Sequence, residues 1–85
     1  MYEWVLNSEQ IEDVFAGLPR EAVTALVAFM DAVVFDPWEF ARRPGELVDR
    51  RNHMRQLAFG SAGTVSFVIQ DDEREVVVVQ ILWAG

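Results

Sequence analysis

Thr64-Val65-Ser66-Phe67-Val68-Ile69-Gln70-Asp71-Asp72-Glu73-Arg74-Glu75-Val76-Val77-Val78-Val79-Gln80-Ile81-Leu82-Trp83 has the pattern of two strands joined by a polar turn. Val65, Phe67 and Ile69 alternate with Thr64, Ser66 and Val68, the period of two that marks a strand with one buried face. Asp71 to Arg74 is turn chemistry. Glu75 to Trp83 then forms a second, Val-rich strand that is apolar on both faces until Gln80. Such a strand is either covered on both sides or meets a partner. The short turn makes the two strands antiparallel neighbours.

Working back, Gly60-Ser61-Ala62-Gly63 is a turn that adds a third strand, Asn52 to Phe59. His53, Arg55, Leu57 and Phe59 share one face of it, and Met54, Gln56 and Ala58 the other. Arg43-Pro44-Gly45-Glu46 begins an irregular link before that strand. Upstream of the link the apolar period changes from strand to helix. Val23, Leu26, Val27, Met30, Val33 and Val34 make one stripe, widened by Ala22, Ala25, Phe29 and Ala32. Pro19 opens this helix, with Arg20 and Glu21 in its first turn. Asp36-Pro37 ends it, because the residue before Pro is pushed out of the helical region; Trp38-Glu39-Phe40 adds a single turn.

Ile11, Val14, Phe15 and Leu18 define an earlier helix of about three turns. Asn7-Ser8 caps it, with Gln10 in the capping-box position, and Glu9, Glu12 and Asp13 complement its dipole. Gly17-Leu18-Pro19 joins the two helices into an αα-hairpin. Tyr2, Trp4 and Leu6 alternate with Glu3 and Val5 as a short opening strand. The expected fold is α+β in the order β-α-α-β-β-β, a small antiparallel sheet packed against the αα-hairpin, as a single domain over residues 1–85.

Composition bounds the chemistry. With 52% hydrophobic and 25% charged residues the chain is globular, and 85 residues bury only about 60–65% of the unfolded surface. No Cys is present, which excludes a disulfide framework and a thiolate metal site. The opening residues lack a basic n-region and no apolar run approaches the ~20 residues of a membrane span. A soluble, cytoplasmic protein without membrane association is expected. Gly-rich phosphate loops, Ser-His-Asp arrangements and metal-ligand spacings are missing, so no cofactor and no metal is expected. Asp71-Asp72-Glu73 lacks Ca²⁺-loop spacing and reads as a solvated turn.

Charge is unevenly spread. Residues 1–39 carry eight acids against Arg20, net −7; residues 40–59 carry five Arg against Glu46 and Asp49, net +3; residues 60–85 come to −3. One cationic island, Arg42 to Arg55, therefore separates two anionic segments, and it holds the only His. All seven cations are Arg, the side chain suited to bidentate phosphate or carboxylate contacts. A GC-rich coding bias accounts for the same choice.

These landmarks together resemble the RelE/ParE superfamily of type II toxin–antitoxin toxins over nearly the whole chain. They are the opening strand, the Leu18-Pro19 break, Asp36-Pro37 after the second helix and the Leu47-containing link. The strand Asn52–Phe59 carrying Arg55, the Gly turn and the final hairpin complete the set. The resemblance implies a bacterial toxin neutralised by a cognate antitoxin protein, with the ribosome and its mRNA as further partners of a RelE-like mRNA interferase, an endoribonuclease. It equally implies two alternatives, a ParE-like gyrase inhibitor and a non-catalytic binding module on the same fold. Arg55 matches the family's Arg on the first meander strand, whereas Thr64 and Ser66 stand on the strand where members carry a second Arg. The oligomeric state is left open.

Metal-free RNA cleavage needs a base for the 2′-hydroxyl and cations for the phosphate. His53 fits the base, and Arg55 and Arg51 the phosphate-holding groups, since all three share a strand face. Arg42, Arg43 and Arg50 either grip RNA or an acidic partner segment, or pair with Glu9, Glu12, Asp13 or Glu39. Trp4, Trp38 and Trp83 read first as packing residues. Trp83, at the end of the last strand, is also a candidate RNA- or partner-binding residue.

Overall fold

The computed structural model describes residues 2–40, 47–49 and 54–84. Its elements in order are β1 (Glu3–Leu6), α1 (Glu9–Ala16), α2 (Arg20–Val33), α3 (Pro37–Phe40), β2 (Leu47–Asp49), β3 (Met54–Phe59), β4 (Gly63–Gln70) and β5 (Glu75–Trp83). The strands form one five-stranded sheet in the order β1-β5-β4-β3-β2. The expected αα-hairpin and three-strand meander are both present. Two features extend the expected topology. The link before β3 contributes an edge strand, pairing Leu47 with Gln56 and Asp49 with Met54. And β1 joins the sheet parallel to β5, Trp4 opposite Val76 and Leu6 opposite Val78, so the sheet is mixed rather than antiparallel. The chain between these two strands runs through the helices and the other three strands, far more than the about a dozen residues a parallel pairing needs.

Local chemistry sets the helix ends. Ser8 caps α1, its Oγ accepting from the Ile11 N–H at 3.4 Å. Pro19 precedes α2 rather than starting it: its backbone is extended (φ −64°, ψ 158°) and its carbonyl accepts from Ala22 and Val23 at 3.0 and 3.1 Å. Asp36 caps α3, accepting from the Glu39 N–H at 3.2 Å, which leaves Pro37 in the first helical position.

The core lies between the helices and one face of the sheet. Leu26, Met30 and Val33 of α2 meet Phe59, Val65, Phe67, Val76, Val78 and Ile81, with Ile11, Phe15 and Leu18 packed against the edge. A β-bulge breaks the alternation within β5, although Val77, ahead of it and on the face opposite Val76 and Val78, is buried as well. Phe67 pairs with Val78 but Ser66 pairs with Gln80, leaving Val79 as an extra residue. The extra residue shifts the alternation by one, so that Val76, Val78, Ile81 and Trp83 all face the helices while Gln80 and Leu82 face away. Two glycines serve the β3–β4 turn: Gly60 has φ +59°, and Gly63 lies so close under the Phe59 ring that a Cβ would overlap it.

Candidate functional site

Two regions carry the side chains from which a site could be built, one at each end of β5. At its start, the Asp71 carboxylate gathers two donors on one oxygen, the Tyr2 hydroxyl at 2.5 Å and the Trp38 Nε1–H at 3.0 Å. The Arg74 guanidinium lies 5.7 Å from the centre of the Tyr2 ring, and that of Arg55 lies 5.7 Å from the centre of the Trp38 ring. The hydrogen bond to Asp71 raises the Tyr2 phenol above its ordinary value, with desolvation adding to it. The same bond, then that of Trp38, lowers the Asp71 carboxyl. Arg74 holds a positive φ of 55°, and its carbonyl accepts from Glu3 N–H at 3.0 Å, tying the β4–β5 turn to β1. The cluster thus fastens β1, α3 and the turn together. Asp71, read from sequence as part of a solvated turn, is its hub. The signal available for it was chemical: a Tyr hydroxyl and a Trp N–H at element ends both need an acceptor.

Arg55 is the one predicted catalytic residue within the described segments. It shares the face of Leu57 and Phe59 and stands opposite the buried Phe67, so it points to the side the helices cover. Its half-buried side chain is held against Trp38. Trp83 also turns towards the helices. Its ring packs 5.8 Å from that of Phe59, and its Nε1 is buried with no hydrogen-bond acceptor among the described residues. His53, Arg51, Arg50, Arg42 and Arg43 lie outside the described residues, and with them the question of their pairing to the anionic helices.

At the other end of β5 a groove of about 510 Å³ opens between α1 and the sheet. It exists because β1 stops opposite Val78, so that β5 continues from Val79 with α1 rather than a strand beside it. Gln10, Ile11 and Val14 form one wall; Val79, Gln80, Ile81, Leu82 and Met54 form the rest. Among the described residues no ionisable side chain lines it. By strand alternation the wider helix-free face carries Met54, Gln56, Ala58, Thr64, Ser66 and Val68, with Ser66 itself buried. Its described charges are Glu3 and Glu75, neighbours across β1 and β5. Among the described residues no group of three or more His, Asp or Glu is placed to hold a metal ion, and no helix is long and apolar enough to cross a membrane.

An α+β domain with a two-helix layer on one face of a mixed sheet defines the class. No protein-family model and no curated protein sequence matches this chain. A solved structure does: a chain of the intact E. coli RelBE toxin–antitoxin complex superposes with a TM-score of 0.75, at 15% sequence identity. The match covers 100% of this chain and 99% of that one, so the whole fold is RelE/ParE-like.

Proposed function

We propose that this protein is the toxin component of a type II toxin–antitoxin pair, acting in the cytoplasm and held inactive by a cognate antitoxin. The observation that carries the reading is the end-to-end likeness to a chain of the RelBE complex. A ribosome-dependent mRNA interferase is the activity that uses the cationic island, with His53 as proton acceptor and Arg50, Arg51 and Arg55 on the phosphate. Expressed alone, the protein should arrest bacterial growth, and the small open reading frame beside its gene should relieve the arrest. Purified protein on programmed ribosomes should then cut A-site mRNA, and His53→Ala should abolish the cut. Intact mRNA with persistent arrest, accompanied by DNA-damage signalling, would move the reading to gyrase inhibition.

One observation favours a second reading, a binding module without catalysis. Arg55 is held on Trp38, and the described part of the helix-free face has Glu3 and Glu75 but no cation. An anionic face repels phosphates. Under this reading expression leaves growth unaffected, while the neighbouring gene product still binds.

A further inference from the structure

Val14 at 39% and Leu82 at 50% are among the few large apolar side chains left exposed in the described residues, and both line the groove beside α1. The third, Phe35 at 77%, lies apart at the end of α2. Two exposed apolar groups in one concave place differ from the scattered apolar residues of any surface, because together they form a patch that excludes water when covered. Ile11 gives the patch a firm base, since it is itself packed against the core. Among the described residues the polar groups in the groove are the neutral amides of Gln10 and Gln80, with no convergent charge to orient a small ligand.

The helix wall supplies the sign of the partner. Glu9 and Asp13, four residues apart, lie on the stripe next to Gln10 and Val14 on the solvent side. Both are exposed, and α1 has no basic residue in its last turn to offset them. A chain segment that lays apolar side chains between Val14 and Leu82 brings its own flanking residues beside these carboxylates. Lys or Arg there is attracted; Asp or Glu is repelled.

We infer that this groove is the docking surface for a cationic, amphipathic segment of the partner protein. The inference rests on the toxin–antitoxin reading for the existence of that partner, and adds where it binds and what chemistry it presents. An apolar centre with a charged rim is the arrangement in which a few buried anchors carry most of the affinity.

The probe is the purified product of the open reading frame beside this protein's gene, titrated calorimetrically into the full chain. Val14→Lys and Leu82→Lys should each weaken binding by about ten-fold or more. Asp13→Lys should weaken it about three-fold, and a rise from low to high salt should weaken the wild type several-fold. Phe35→Lys should leave affinity unchanged. Val14→Ser and Leu82→Ser serve in place of either Lys variant that loses its folded circular dichroism, with the same expected direction. Groove variants that bind like wild type, or an Asp13→Lys variant that binds more tightly, overturn the inference. If the product relieves growth arrest and binds all variants equally, the docking surface is wrong and the toxin reading stands. If it neither binds nor relieves arrest, both fall.

Discussion

The two faces of the sheet treat their side chains in opposite ways. On the helix-covered face, Arg55 and Trp83 look in sequence like groups for chemistry, yet one is stacked on Trp38 and the other packed on Phe59. Away from it, Leu82 on the helix-free face and Val14 on the exposed flank of α1 look in sequence like core residues, yet they line an open groove. Residue type says what a side chain can do, whereas the layer it faces says what it does. An aromatic or a guanidinium under a helix layer is recruited into packing. An aliphatic residue beyond the end of a strand partner is left for something else to cover.

The packed face should be the more sensitive to mutation. Phe67→Ala removes the ring at the centre of the covered face and should lower stability by about 3–5 kcal/mol in urea unfolding. Leu82→Ser, one strand over and on the opposite face, should shift it by about 1 kcal/mol or less. Equal losses would mean that the two faces are alike in burial. Next in size is Gly63→Ala, where a Cβ would meet the Phe59 ring; overpacking there should cost about 1–3 kcal/mol by the same measurement.

Arg55 stands between the two roles of packing and phosphate contact. Losing its stack on Trp38 should cost only about 0.5–1 kcal/mol. Arg55→Ala that stays folded but fails to arrest growth points to phosphate contact; full arrest with slightly reduced stability identifies a packing residue.

The smallest expected effect concerns the Asp71 cluster. A lowered Asp71 carboxyl contributes stability above its unfolded value, near 3.8, and loses it as pH falls through the folded value. A raised Tyr2 phenol contributes below its unfolded value, near 10.0, and loses it as pH rises through the folded one. The tie between β1 and the β4–β5 turn should therefore hold from about pH 4 to pH 10 and loosen at both extremes. Ultraviolet titration of the phenolate should give a midpoint above 10.0 that moves down in Asp71→Asn. An unchanged midpoint in that variant would remove Asp71 as the cause.

Much of this was legible in the chain. Alternation in Thr64 to Gln70, the apolar stripe from Val23 to Val34, and the stops at Gly17-Leu18-Pro19 and Asp36-Pro37 all became the elements they imply. The doubly apolar strand Glu75 to Trp83 carried a true message in two parts: Val77 is buried on the face opposite Val76 and Val78, and beyond it Val79 shifts the phase so that Ile81 returns to the core and Leu82 to the groove. What stayed hidden was Val14, indistinguishable in spacing from Ile11 and Phe15, and Asp71, indistinguishable from Asp72. In each pair the difference comes from a neighbour distant in sequence, β5 for one and Tyr2 with Trp38 for the other.

The helices, four of the five strands, their order and the charge of each segment were fixed locally, because backbone propensity, capping and apolar period act over a few residues; β2 was not, since a three-residue edge strand exists only through its pairing with β3. Tertiary structure alone decided that β1 runs parallel beside β5, that Arg55 and Trp83 turn under the helices, and that β1 ends four residues into its partner and leaves a groove beyond it. Those outcomes depend on which elements meet across the whole chain. Periodicity states which residues share a face; only packing states which face is covered.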